Sequence, residues 1–418
     1  LVFTSLKGDV FLARDTDGDG VEDQLTLFEE GLSAPFGIIA DGNDLIVSHK
    51  PEVLRLSDTN GDGRADRRTV IATGWGLNDN YHDWATGCIR DSQGNLYVGL
   101  GSDYAQMKRP DDQIQWRGKI LKITYNGNLE VLGHAFRYPT GLAINSKDEI
   151  FVSDQQGVQN TFNEINFLIP GKAYGVPSQS DLRSKENLEE TRAAIQVPHP
   201  WTRSVNGLTC IPKQFPYAGL FDQGLGCEYN NRLLIRFTTQ KVGDSVQGAT
   251  YYFTRADVPP DEHNFAGPMS VAVSPMGDIY VGSIHDSGWL GGQNTGSITK
   301  LTPNGKLPNG IKELRATPDG FELEFFEPVD AKKAVEKEAY TIAGYTRVWS
   351  GSYASPDSGR YKVEVEEATV SDDKKSVRLK VNELKEKFVY EVNCQQIGTG
   401  DETLFPVTGH YSMNRIPE

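Results

Sequence analysis

The stretch TGCIRDSQGNLYVGLG, residues 86–101, sets a glycine and an apolar pair ahead of a polar turn and then an alternating apolar strand. The same order returns as FGIIADGNDLIVSH (36–49), TGLAINSKDEIFVSDQ (140–155), a degenerate GLTC…CEYNNRLLIRF (207–237) and MSVAVSPMGDIYVGSI (269–284). Copies recur about every 50 to 70 residues, a spacing that suits propeller blades with inserted loops. A blade cannot bury both faces alone, so it stacks on its neighbours around an axis. Five copies are visible, and strands within 1–35 complete another. The chain is therefore expected to be all-β, with a β-propeller of six blades over 1–308, five and seven bracketing that count.

After LTPNGKLPNGIKEL the repeat stops. FELEFFEP, YKVEVEEATV, SVRLKV and FVYEVNC alternate with period two, which predicts an immunoglobulin- or fibronectin-like β-sandwich over 309–418. Its Lys/Glu surface carries little candidate chemistry, so a spacer role is expected of it. Helix is nearly absent, and the best candidates are 182–195 and 331–339.

The 418 residues include 43 Gly and 21 Pro, in keeping with many turns, and carry 42 Lys+Arg against 57 Asp+Glu, a net charge of −15. An apolar share of 38% before glycine excludes a disordered chain. Such acidity repels phosphate backbones and anionic lipid, so no nucleic-acid or membrane partner is expected. No run reaches the roughly 18 apolar residues of a membrane span. Leu1 opens directly into VFTSLKGDVFLARD without a leader, which suits a mature or excised chain, secreted or periplasmic. Cys88, Cys210, Cys227 and Cys394 form no C-x-x-C pair. Cys210 and Cys227 either bridge, for about 3 kcal/mol in an exported protein, or are buried thiols.

Two acidic loops stand out, DTDGDGVED (15–23) and DTNGDGRAD (58–66). Oxygen donors at positions 1, 3, 5 and 9, a carbonyl at 7 and Gly at 6 are the pattern that wraps calcium. The first loop would use Asp15, Asp17, Asp19, Asp23 and the Val21 carbonyl, with Gly20 in the turn. The second would use Asp58, Asn60, Asp62, Asp66 and the Arg64 carbonyl, with Gly63 in the turn. Thr26 and Thr69 stand where an EF-hand places its bidentate Glu, so two structural calcium sites in β-hairpins are expected.

Polar and aromatic residues cluster at the ends of repeat strands, where propeller loops converge on one mouth. Tyr81, His82, Asp83 and Trp84 precede the second repeat, and Arg137 and Tyr138 the third. Gln155, Gln156, Gly157 and Val158 follow the third; Trp201, Arg203 and Asn206 precede the fourth; His285 and Trp289 close the last. A neutral His can take a proton from a hydroxyl, Arg can stabilise an oxyanion, and Trp and Tyr offer faces for a sugar ring. His82, Arg137 and Arg203 are the catalytic candidates; Tyr81, Asp83, Trp84, Trp201, His285 and Trp289 are the substrate-binding ones.

His82 ahead of GCIRDSQGNLYVGLG, then GHAFRYPTGLAINSKDEIFVSDQQG and NEINFLIPGKAYGVP, resembles the soluble aldose and sorbosone dehydrogenases that use pyrroloquinoline quinone (PQQ), over about 80–180. The PWTRSVNG stretch, the Asp-rich loops and the NRIPE ending resemble secreted propellers of Planctomycetes and Bacteroidetes over most of the chain. The resemblance implies a six-bladed propeller with PQQ in the axial mouth and His82 as the base for the substrate hydroxyl. It sets Arg137 beside the cofactor and puts Gly157 and Val158 near carbonyls that hold the cofactor's calcium. Tyr138, Gln155, Gln156 and Asn206 would complete the cofactor set. Tyr138 stands where that family has Asn, and no residue matches its cofactor-binding lysine.

The expected activity is thus a PQQ-dependent sugar dehydrogenase, with a carbohydrate substrate and an electron-accepting domain or protein. A polysaccharide lyase using Tyr81, His82, Arg137 and Arg203 is one alternative, and a calcium-dependent lactonase using Glu164, Asn206 and Asp154 another. A third is a non-catalytic module that binds carbohydrate or protein, because one propeller fold serves many functions.

Overall fold

The structure is a computed structural model, and it describes residues 1–80, 82–103, 109–157, 160–184, 187–199, 201–254, 265–285, 292–351 and 353–418. Among them the α-helices are short: Asp111–Ile114, Gln179–Arg183 and Ala331–Ala334. Among the described residues no helix is long and apolar enough to cross a membrane. Two compact units make up the chain, Leu1–Ile144 with Leu168–Thr191, and Asn145–Phe167 with Arg192–Glu418.

The first unit holds three antiparallel meanders. Val2–Ser5, Asp9–Arg14 and Gln24–Glu29 form the first; Gly37–Asp41, Asp44–His49, Glu52–Ser57 and Arg67–Thr73 the second. Ala85–Arg90, Leu96–Leu100, Lys119–Ile123 and Leu129–His134 form the third. Alternation drives each of them. Ile46, Val53, Ala72, Trp75, Val98 and Leu121 meet in one core between the second and third.

The recurrent glycine is explained by a close approach. A Cβ on Gly37 would lie 1.7 Å from the carbonyl oxygen of Gly87, the same repeat position one copy later. Ser48 Oγ donates to that carbonyl at 2.6 Å. One copy on, Gly99 replaces the serine, and its missing side chain makes room for Thr86 Oγ1, which donates to the Gly99 carbonyl at 3.0 Å and to that of Pro139. A strand glycine here marks backbone meeting backbone, and a hydroxyl satisfies the carbonyl left over.

The second unit repeats the device. Ser153 Oγ donates to Asn206 O at 2.7 Å, and a Cβ on Gly207 would lie 2.5 Å from Met269 O. Its meanders are Ile150–Asp154, Asn163–Phe167 and Ile195–Val197; then Val205–Cys210, Gly224–Glu228, Leu233–Val242 and Ser245–Tyr252; then Pro268–Val273, Ile279–His285 and Thr295–Leu301.

The C-terminal residues form two further sheets around a shared core. One contains Ile311–Thr317, Gly320–Phe325, Ser376–Val381 and Val365–Val370. The other contains Asp357–Val363, Tyr340–Arg347, Phe388–Cys394 and Thr408–Met413, and continues without a break into the strand Ser245–Tyr252. Hydrogen bonding therefore crosses the sequence boundary expected near 308, and Tyr251 belongs to the same core as Phe321, Tyr390 and Tyr411. The buried phenols are satisfied: Tyr251 Oη accepts from Leu314 N at 2.7 Å, and Tyr411 Oη donates to Gln240 Oε1 at 2.6 Å.

Helix over 182–195 is not found. The helix is Gln179–Arg183, capped by Ser178 and Asp181, and Ile195–Val197 is a strand. Asp181 fixes it by pairing with Lys119 and His134, a tertiary anchor that the weak apolar spacing does not reveal. All four cysteines are free; register sets Cys210 opposite Gly224, not Cys227.

Gly37→Ala is expected to destabilise the protein by roughly 1–3 kcal/mol through overpacking. Gly305→Ala, with nothing within 4 Å of its would-be Cβ, should stay within about 0.5 kcal/mol of the parent. Urea unfolding of both variants checks this, and equal midpoints would refute the close-approach explanation.

Candidate functional site

In the first unit, His82 follows a turn held by Asn80, whose side-chain oxygen accepts from His82 N at 2.8 Å. Tyr138 Oη donates to the His82 carbonyl at 2.7 Å, tying the turn to the next repeat. The His82 ring centroid lies 5.8 Å from those of Trp84 and Tyr138, and Trp84 packs on Phe36 at 5.2 Å. His82 and Tyr138 are half-buried; Trp84 is 7% exposed and shows little of its ring. Gly101 makes room for this cluster, since a Cβ there would lie 2.7 Å from Tyr138 Cδ2. Arg137, which precedes Tyr138, is buried, and its carbonyl accepts from Ser102 N at 2.9 Å and Ser102 Oγ at 3.1 Å.

Asp83 is engaged within the chain. Its buried carboxylate accepts from Arg109, from Arg117 at 3.0 Å and from Asn78 N at 2.6 Å. Arg109 also reaches Asp103 at 2.7 Å, so two carboxylates and two guanidiniums nearly cancel in charge. Burial lowers Arg117 to about 10 and raises Asp103. Removing one partner from such a set leaves an uncompensated buried charge, which typically costs about 3–5 kcal/mol. This set stiffens the turn that carries His82, and sequence reading missed Arg109 and Arg117; an Arg inside the apolar run around 114–123 was the available signal.

The second unit gathers another group. Gln155 receives a hydrogen bond from Ser204 Oγ at 2.7 Å and donates to Val205 O. Gln156 Nε2 stands 3.2 Å from His199 Nε2 and donates to Arg203 O at 3.1 Å, while Ala354 N donates to its Oε1 at 3.2 Å. Asn206 donates to Ser204 O at 3.2 Å. Glu228, fully buried, accepts from Thr202 Oγ1 at 3.1 Å, Arg203 N at 2.7 Å and Ser204 N at 3.0 Å, and burial raises its pKa. It anchors the 202–204 turn; a Glu ending the apolar strand GLGCE was its sequence signal. Burial and the nearby Arg347 and Arg203 lower His199 and favour its neutral form. Glu164, across the ladder from Asp154, is raised to about 8 by burial and by that neighbour.

Trp201 is buried, stacked on Tyr252 at 3.9 Å and edge-on to His410 at 4.4 Å, so it packs a core. Arg203 is exposed, and His285 is half-buried at a strand end. Gly157 N donates to Asn160 O at 2.9 Å. Tyr81, Val158 and Trp289 lie outside the described residues.

The two acidic loops join strands, as expected, and match in their bonding. Asp15 accepts from Gly18 N and Gly20 N, and Asp58 from Gly61 N and Gly63 N. Asp23 and Asp66 each take the backbone and hydroxyl of Thr16 and Thr59. The Asp17 and Asp19 side chains accept from Asp19 N and Val21 N; Asn60 and Asp62 accept from Asp62 N and Arg64 N. Backbone hydrogen bonds lower the pKa of Asp15. Asp15, Asp17 and Asp19 bring carboxylate oxygens within 4.8 Å of one another, an exposed triad of hard donors suited to a metal ion.

A family model described as "Domain of unknown function (DUF7133)" matches residues 4–286. The chain belongs to the DUF7133 family. No curated protein matches this DUF7133 chain. Among solved structures it is similar to a putative oxidoreductase (glucose dehydrogenase) from Thermus thermophilus, at 18% identity and TM-score 0.53, over 72% of this chain and 92% of that one. It is also similar to the soluble aldose sugar dehydrogenase of Escherichia coli in its apo form, at 14% identity and TM-score 0.52, over the same shares. At such identities the likeness speaks for the fold: a mostly β, propeller-like architecture over about 72% of the chain.

The residues of the second unit do not fit a bound quinone as they stand. The amides of Gln155, Gln156 and Asn206 are spent on Val205, Ser204, Arg203 and Ala354 within the chain. A cofactor would have to displace those bonds.

Proposed function

We propose that the protein is a sugar-oxidising propeller of the dehydrogenase type, with His82 as the group that takes the proton from a substrate hydroxyl. The observation that carries this reading is the arrangement around His82. A half-buried imidazole forms a triangle of rings with Trp84 and Tyr138, its backbone is pinned from both sides, and the buried Arg137 precedes Tyr138 in the chain. An imidazole held in one place beside aromatic faces can accept a proton from a sugar laid against the Tyr138 ring. Arg137 supplies positive charge where the alkoxide develops. The accompanying hydride passes to an external two-electron acceptor, supplied in the assay as a redox dye or as PQQ with calcium. A second reading, a non-catalytic saccharide-binding module, is favoured by the self-satisfied amides of Gln155, Gln156 and Asn206.

The acidic loops are proposed as two structural calcium sites, with the matched bonding of 15–23 and 58–66 in their favour, and a secreted or periplasmic setting is proposed with them. Calcium at about 100 times its Kd would stabilise by about 2.7 kcal/mol per site.

Dye-linked oxidation of aldoses, assayed with PQQ and calcium and with other acceptors, is expected to fall about 10²–10⁴-fold in His82→Gln. No oxidation by the parent with any acceptor, together with sugar binding that survives His82→Gln, would select the binding module. Chelation is expected to lower the thermal midpoint, and Asp15→Asn with Asp58→Asn to abolish that response. A midpoint indifferent to chelator would remove both calcium sites.

A further inference from the structure

In the second unit, three strands set oxygen-bearing side chains in one row. Asp154 ends Ile150–Asp154 opposite Glu164, and Glu164 stands opposite Gln196 on Ile195–Val197. Directly opposed residues share a face of the sheet, and Asn166, two places after Glu164, lies on that face too. Asp154 and Asn166 are fully buried, while Glu164 keeps part of its surface. Two carboxylates opposed across a ladder repel each other. Burial and the charge of Asp154 raise the Glu164 carboxyl to about 8, and the nearby Arg192 offsets only part of that.

The same row has amide atoms to spare. Asn166 faces Glu164, yet neither of its side-chain polar atoms makes a hydrogen bond of normal geometry. Asn160, 5% exposed, also lies beside Glu164. Its Nδ2 donates to Gln155 O at 3.3 Å, while its Oδ1 has no donor among the described residues. Buried polar atoms without partners are rare in native proteins, and these gather around two acids. Asn206 does not join them, because its amide is spent on Ser204 and Gln155. Two carboxylates and two amide oxygens are hard donors of the kind that calcium takes. A dication among them cancels the repulsion and supplies the amide oxygens with a partner.

We propose that Asp154, Glu164, Asn160 and Asn166 hold a buried calcium ion, a site separate from the two acidic loops. Its role is structural. Asp154 and Asn160 flank Gln155 and Gln156, so the ion ties both ends of that turn to the strand Asn163–Phe167, and the partly exposed Glu164 gives it a way in.

Equilibrium dialysis of the full chain against radioactive calcium chloride counts the ions. Glu164→Gln is expected to lower the count by about one per chain, both in the parent and in Asp15→Asn/Asp58→Asn. Gln keeps the shape of the protonated carboxyl, so this variant spares the fold, and an unchanged circular dichroism spectrum verifies it. Asn166→Leu, close in shape to the amide but without its oxygen, should weaken the same ion about ten-fold or more. A count that neither substitution changes, or a parent that binds no calcium, overturns the site. A single ion held alike by the parent and by Asp15→Asn/Asp58→Asn, and lost with Glu164→Gln, supports this site while removing those of the loops.

Discussion

Within each unit, neighbouring repeats meet at a glycine, and the strands joined there carry the loops of the candidate residues. Gly37 faces the Gly87 carbonyl and Gly207 the Met269 carbonyl, too close for any side chain. Carbonyls at the repeat contacts need donors, and Ser48 serves that of Gly87, Thr86 that of Pro139 and Ser153 that of Asn206. Where the strand offers glycine instead of serine, the hydroxyl comes from the neighbouring strand, so the bond is kept while its source moves. A contact this tight fixes how one repeat follows the next, and hence where the loops that begin and end the repeat strands emerge.

Those loops carry polar groups that the chain holds by burial and charge. His82 stands on a turn backed by Asp83, Arg109, Asp103 and Arg117, a buried set close to neutrality. The 202–206 turn hangs on Glu228, buried and bonded to three consecutive residues of that turn. Each turn is thus preorganised from behind, which leaves His82 and Tyr138 in one unit and Arg203 in the other as groups with some exposure. The sandwich adds its own constraint, because its strand Thr408–Met413 extends a repeat sheet and its hairpin loop reaches Gln156.

The meanders and the sandwich strands are legible in the sequence because alternation with period two and a repeated glycine are local signals. His82 and Arg137 stand out in the sequence because they occupy corresponding places ahead of adjacent repeats, but the ring beside His82 is that of Tyr138, the residue after Arg137. Asp83 reads as a ligand contact in the sequence although it is a buried carboxylate between two arginines, since a one-dimensional sequence does not say which side of a turn a residue takes. Gln155 and Gln156 read as cofactor contacts for the same reason, and their partners Ser204 and Ala354 lie about 50 and 200 residues away.

The proposed function stands on a sugar hydroxyl being handled at His82. A difference electron-density map from crystals soaked with glucose tests it most directly. The expected density is a pyranose resting on the Tyr138 ring with a hydroxyl within hydrogen-bonding distance of the His82 imidazole. A sugar bound elsewhere with this cluster empty, or no sugar at a saturating concentration, would contradict it.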